Sequence, residues 1–214
     1  MRYLIVCGGK IDKEFGLNEI KTDGIDAIIA ADSGMDFLYE NGVMPDIIVG
    51  DFDSATTKAL EYFERKGQTE IHRLNPIKDD TDTEYAIRLA ISEGARSIVM
   101  LGATGSRIDH VLGNISLLGI GLESGTDISI IDTNNRIRMA DRPVTIEKSA
   151  QYGRFVSLIA VTDDNEVSLR GFKYPVTDYS FDRFTSLGIS NEIVDDHALI
   201  DIHRGKFIII ESKD

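Results

Sequence analysis

Residues 50–54 read G-D-F-D-S and residues 78–82 read K-D-D-T-D, two acidic knots about thirty residues apart. In an extended segment, residues two apart point the same way, so Asp51 and Asp53 can aim two carboxylates at one point. Like charges held together are unfavourable unless a cation sits between them. An all-oxygen ligand set suits Mg2+, which keeps waters and takes further ligands from phosphates. A simpler reading has Asp53 and Ser54 capping the next helix. It accounts for one acid and leaves Asp51 over, so the metal reading is favoured. Lys78, Asp79, Asp80 and Asp82 precede another helix, where acids suit the macrodipole, but three acids in four residues exceed what a cap needs. Neither knot is an EF-hand: counting from Asp51, position six is Thr56 and position twelve is Tyr62. The chain contains no G-x-x-x-x-G-K-[ST] and no G-x-G-x-x-G.

Residues 101–110, L-G-A-T-G-S-R-I-D-H, offer different chemistry. Thr104, Gly105 and Ser106 expose backbone N–H groups just before a helix N-terminus, a plausible phosphate cradle. Arg107 adds a planar fork suited to phosphate oxygens, and Asp109 and His110 follow at once. His110 reads equally well as a surface residue of the first turn. In A-D-S-G, residues 31–34, Asp32 or Ser33 is either a helix cap ahead of Gly34 or a ligand. Cys7-Gly8-Gly9 ends the first apolar run and permits close approach by a ligand.

These pieces need elements to hold them. Apolar runs at residues 2–7, 26–31, 47–50, 70–74, 97–101 and 127–132 read as strands. Helical spacing is expected over 34–41, 54–66, 83–93 and 108–118. Thr81 and Glu84 match a capping box for the third of these, and Gly119 is a candidate stop for the last. Such alternation implies βαβ units and a mainly parallel, three-layer α/β domain. Ligands of such sheets bind at the carboxyl ends of the strands, the edge where both acidic knots and the A-T-G-S-R loop emerge. After residue 133 helical periodicity ends. Residues 136–139, 144–147, 155–160, 167–169, 198–203 and 207–210 read as short strands between turns, an antiparallel β-sandwich. The expected domains are 1–133 and 134–214.

The 214 residues are 42% hydrophobic, enough to bury a core. Asp and Glu number 36 against 23 Lys and Arg, a formal charge of -13, which argues against nucleic-acid binding but not against a metal-bound nucleotide. The single cysteine, Cys7, rules out an intrachain disulfide and reads as a small core residue. The N-terminal apolar run is too short for a signal peptide or a membrane helix, so a cytoplasmic, soluble protein with no membrane partner is expected.

Taken together, the motifs resemble the thiamine pyrophosphokinase family over nearly the whole chain. The matching pieces are A-D-S-G, P-D-x-x-x-G-D-F-D-S from Pro45, K-D-D-T-D, G-A-T-G-S-R-I-D-H, G-F-K-Y-P at 171–175 and L-G-I-S-N-E at 187–192. The resemblance implies a homodimer with active sites between subunits, and transfer of the pyrophosphoryl group of ATP to thiamine. It implies Mg2+ on Asp51, Asp53 and Asp82, with Asp79 or Asp80 nearby, and Arg107 as a catalytic group. It implies ATP contacts from Asp32, Ser33, Gly34, Lys78, Thr104, Gly105, Ser106, Asp109 and His110. Ser190 and Asn191 are expected to meet thiamine, with Tyr174 or Phe172 stacking on its cationic ring. The rival readings are a nucleotide-sugar transferase, which also uses a D-x-D metal motif, and a non-catalytic thiamine- or nucleotide-binding module.

Overall fold

The structure is a computed structural model and describes residues 1–52, 57–75 and 80–214. The chain divides into two compact units, Met1–Thr133 and Asn134–Asp214.

The first unit alternates strands and helices: β1 (Arg2–Val6), α1 (Lys13–Ile20), β2 (Ala27–Ala31), α2 (Gly34–Glu40), β3 (Ile47–Gly50), α3 (Thr57–Lys66), β4 (Glu70–Arg73), α4 (Asp82–Ser92), β5 (Ser97–Leu101), α5 (Ile108–Ser124) and β6 (Asp127–Ile131). Every strand pair is parallel, and the order is β6-β5-β1-β2-β3-β4. The strands are apolar and buried, with Leu4, Ile5, Val6, Ile29, Ala30, Ile48 and Val49 at 0–1% exposure, as a parallel sheet covered on both faces requires. The chain lays β2, β3 and β4 on one side of β1, then crosses back to place β5 and β6 on the other. That reversal makes the carboxyl ends of β1 and β5 a switch point, where a crevice opens between diverging loops.

Two helices depart from expectation for local reasons. Helix α1 was not anticipated, because Gly16 interrupts its apolar pattern. A Cβ on Gly16 would come within 2.6 Å of Ile11 and 2.7 Å of Phe37, so close packing demands the glycine. Asp12 caps this helix by accepting from Phe15 N at 2.9 Å. Helix α5 runs through Gly119 and ends at Gly125, whose φ of 72° closes it in the left-handed region. Thr81 caps α4 through Glu84 N at 3.2 Å, but the Glu84 carboxylate turns to Arg88 (2.7 Å), so that bond joins Glu84 to the next turn.

The second unit holds β7 (Asn135–Ala140), β8 (Val144–Glu147), a 3-10 turn (Lys148–Ala150), β9 (Phe155–Ala160), β10 (Glu166–Arg170), β11 (Val176–Ser180), β12 (Asn191–Glu192), β13 (His197–Arg204) and β14 (Phe207–Ser212). Antiparallel sheets β12-β9-β14-β7 and β11-β10-β13-β8 share one apolar core that includes Val156, Leu158, Phe207 and Ile209 from one sheet, and Val167, Leu169, Ala198 and Ile200 from the other. Strands β11 and β12 lay outside the sequence expectation: β11 is largely exposed and β12 has two residues, too short for a readable alternation.

One end of this core is charged. Glu211 is fully buried. Its carboxylate accepts from Arg136 Nε (2.8 Å) and Nη2 (2.7 Å), from Arg138 Nη2 (2.8 Å) and from Tyr152 N (3.0 Å). Removing one partner of such a group leaves uncompensated buried charge. Glu211→Gln is expected to lower unfolding free energy by roughly 3 kcal/mol in urea titration, whereas the triple variant Arg136→Met, Arg138→Met, Glu211→Leu should lose much less.

Candidate active site

The switch point forms a cavity of about 590 Å³ walled by three loops and two helix starts: Cys7 to Lys10 after β1, Ala31 to Ser33 after β2, Gly102 to Arg107 after β5, Thr81 to Thr83 at α4, and the first turns of α5. That volume suits a small-molecule ligand. Its floor exists because glycines let backbones touch. A Cβ on Gly34 would lie 1.9 Å from Val6 O, and one on Gly9 would lie 2.4 Å from the carbonyl oxygens of Gly102 and Thr104. The β1 and β5 loops are further tied by Gly9 N donating to Gly102 O at 2.9 Å.

Three carboxylates gather at this edge. Single oxygens of Asp32, Asp51 and Asp82 all lie within 4.8 Å of one another, each residue half-buried. Asp51 follows β3 directly. Asp82 is the first residue of α4, placed by the Thr81 cap. Asp32 follows β2 with φ of 50°, left-handed backbone that Asp tolerates better than most residues. Phe52 has φ of 62°, a strained conformation for a bulky residue. Its ring packs over Gly50, where a Cβ would meet it at 3.0 Å, and Arg73 stacks on that ring at 5.3 Å. The extended geometry that would pair Asp51 with Asp53 by alternation therefore stops at Phe52. Asp53, Lys78 and Asp79 lie outside the described residues, as does the cap role considered for Ser54. Asp80 is exposed just before α4, where its charge acts on Arg88.

The residue types of this cluster fit a hard divalent cation, because carboxylate oxygens converge from two strand ends and a helix start, with no nitrogen or sulfur ligand in the group among the described residues. Asp32 was expected as a helix cap or nucleotide ligand; its position beside Asp51 and Asp82 comes from the β2–β3 neighbour relation, which no local motif encodes. Ser33 occupies the N-cap position of α2 without a side-chain cap bond. Its hydroxyl lies instead against Gly8, where a Cβ would meet Oγ at 2.1 Å.

The β5 loop brings Thr104, Gly105, Ser106 and Arg107 to the cavity wall, and the first turn of α5 adds His110. Several of its polar groups are engaged. Thr104 Oγ1 donates to Asp132 Oδ2 (2.9 Å), and Asn114 Nδ2 donates to Ala103 O (2.8 Å), so both hold the loop in place. Arg107 grips Asp109 through Nε–Oδ1 (3.3 Å) and Nη2–Oδ2 (2.7 Å). That guanidinium, with the His110 backbone N–H, holds the exposed Asp109 carboxyl down at about 2. Lys10, Thr83, Val111 and Asn114 also line the cavity and were not singled out by sequence. The Gly-Gly pair after the first strand was the available signal for Lys10.

In the second unit, Asn191 is 6% exposed, and its amide clasps the Tyr174 backbone, accepting from Tyr174 N (3.1 Å) and donating to Tyr174 O (3.0 Å). Tyr174 is exposed, with Lys173 Nζ 5.6 Å from its ring centre. Phe172 belongs to the buried core, which leaves Tyr174 as the accessible ring of the pair. Ser190 is exposed in left-handed backbone at φ 60°, its N–H donating to Ser157 Oγ at 3.0 Å.

The family model described as "Thiamin pyrophosphokinase, catalytic domain" matches residues 21–130, and "Thiamin pyrophosphokinase, vitamin B1 binding domain" matches 143–207. The chain belongs to the thiamine pyrophosphokinase family. The thiamine pyrophosphokinase of Bacillus subtilis (strain 168) is 35% identical over 188 residues, 87% of each chain. The crystal structure of the thiamine pyrophosphokinase from Bacillus subtilis superposes over the full length of both chains with a TM-score of 0.88 at 31% identity. That of the thiamin pyrophosphokinase from Geobacillus thermodenitrificans does so at 0.87 and 30%, covering all of this chain and 98% of that one. The two matched family segments fall one in each compact unit. The α/β half therefore corresponds to the family's catalytic domain and carries the carboxylate cluster and the Gly-rich loop.

Cys7 lines the same cavity, yet it is 3% exposed, and burial pushes its thiol up to about 12. Thr83 Oγ1, donating to its sulfur at 3.8 Å, opposes that shift weakly. At pH 8 the thiol is therefore protonated and unreactive. A dithiobis-nitrobenzoate titration of the native protein should read almost no free thiol, and one per chain after unfolding in guanidinium. Fast reaction in the native state would contradict this placement.

Proposed function

We propose that this chain transfers the pyrophosphoryl group of ATP to the hydroxyl of thiamine, giving thiamine diphosphate and AMP. The observation that carries the reading is the convergence of Asp32, Asp51 and Asp82 beside the Gly102 to Arg107 loop, at the switch point of a family catalytic domain. The triphosphate lies against that loop and the start of α4, where helix N-termini favour anions. Asp32, Asp51 and Asp82 would hold Mg2+, and Asp53 belongs with them by motif. A cation bound there offsets negative charge that develops on phosphate oxygens.

The reaction needs positioning more than covalent help. The thiamine hydroxyl oxygen forms a bond to the β-phosphorus, the bond from that phosphorus to the α,β-bridging oxygen breaks, and AMP leaves with that oxygen. The hydroxyl proton passes to a carboxylate of the aspartate cluster. Arg107 exchanges Asp109 for phosphate oxygens; the Arg107–Asp109 pair is exposed, so its loss costs little. Tyr174 offers an aromatic face to the thiazolium cation, with Ser190 and Asn191 shaping the adjacent turn. The chain works as a cytoplasmic homodimer with its active sites at the subunit interface. Exposed Phe184, Leu187 and Ile189 on one unit, and Ile108 and Leu112 on the other, are apolar surface of the kind a partner covers. Among the described residues no helix is long and apolar enough to cross a membrane.

Incubation with ATP, MgCl2 and thiamine, followed by chromatography, should yield AMP and thiamine diphosphate together and only with Mg2+ present. ATP left intact by folded protein would sink the reading. Asp82→Asn should lower turnover by roughly 10²–10³-fold, the scale for losing one well-placed electrostatic group. The same variant should lose the rise of about 5 °C in Tm that saturating Mg2+ gives the parent chain.

A further inference from the structure

A nucleoside triphosphate entering this cavity brings several negative charges to a wall that already holds Asp32 and Asp82, with Asp51 beside them. Its oxygens need donors, and several side-chain donors of the wall are engaged within the protein. The Thr104 hydroxyl donates to Asp132, the Asn114 amide to Ala103 O, Gly9 N–H to Gly102 O and the Thr83 hydroxyl to Cys7. Arg107 holds Asp109 through two bonds, so a phosphate there must first displace that exposed partner.

Lys10 differs. It lines the cavity, is exposed, and makes neither an ion pair nor a side-chain hydrogen bond with any described residue. It follows the Gly8-Gly9 pair, where the β1 loop meets the β5 loop: Lys10 N lies 4.0 Å from the place a Cβ on Gly105 would take. A lysine ammonium is a mobile point charge with three donors, suited to phosphate oxygens whose position is fixed by other groups. We propose that Lys10 is a phosphate-binding residue of this site, its ammonium meeting the polyphosphate of the nucleotide. The proposal rests on the nucleotide reading above and adds a residue whose positive charge is uncommitted among the described residues.

Calorimetric titration of the full chain with MgATP tests this without relying on turnover. Lys10→Met should weaken binding by roughly tenfold or more, the scale of one charge-assisted hydrogen bond, while Lys10→Arg keeps most of the affinity. In steady-state assays the KM for ATP should rise in Lys10→Met while the KM for thiamine and the melting temperature stay put. The dependence of kcat/KM for ATP on salt should also flatten, as expected for one lost ionic contact. MgATP affinity within twofold of the parent in Lys10→Met overturns the proposal, as does an absence of MgATP binding by the parent chain. Lys10-dependent MgATP binding by a parent chain that makes no AMP would keep the phosphate contact and discard the reaction.

Discussion

Like charges repel, and Asp32, Asp51 and Asp82 bring three carboxylate oxygens within 4.8 Å of one another. Each such pair opposes folding to the extent that neighbouring groups do not compensate. A fold that keeps this arrangement must hold each acid from a separate, rigid support. The parallel sheet does so. Asp32 and Asp51 end adjacent strands, and Asp82 opens a helix fixed by its Thr81 cap and by the buried Ala86, Ile87 and Ala90. The apolar burial of β1 to β3 supplies the stability against which the repulsion is set, and the proposed divalent cation turns that repulsion into affinity.

The same edge is built for close approach. Gly9, Gly34 and Gly102 clear side chains from the places where the β1, β2 and β5 loops meet, and the hydrogen bond from Gly9 to Gly102 joins two of them. Phe52 and Asp32 sit in left-handed backbone at the strand ends. Strain of this kind persists only where surroundings hold it, and here Gly50, Arg73 and the Phe52 ring do so. Thr104 and Asn114 hold the Gly-rich loop through their side chains.

The second unit reaches its order differently. Its two sheets share an apolar core, closed at one end by the buried Glu211 and its two arginines. A buried carboxylate with four donors fixes the pairing of β7 and β14 as well as stabilising it, since a one-residue slip would move Arg136 away from Glu211. The Asn191 amide plays a similar local part, setting the Tyr174 backbone so that its ring stays at the surface.

Strand and helix periods, and their change after residue 133, were legible because burial on one face or two leaves a repeating pattern in the chain. So were Asp51, Asp82 and the A-T-G-S-R loop as candidates, since residue types suited to a cation and to phosphate stand close together in sequence. Helix α1, the run of α5 beyond Gly119 and strands β11 and β12 were not, because Gly16 answers to Phe37, distant in sequence, Gly119 carries no mark that it continues a helix, and edge strands carry little alternation. Asp32 joining the carboxylate cluster, Phe172 turning inward while Tyr174 stays exposed, and Lys10 reaching the cavity belong to the tertiary structure alone. Each depends on which strand lies beside which, and that order is set by packing the whole sheet rather than by any local run of residues.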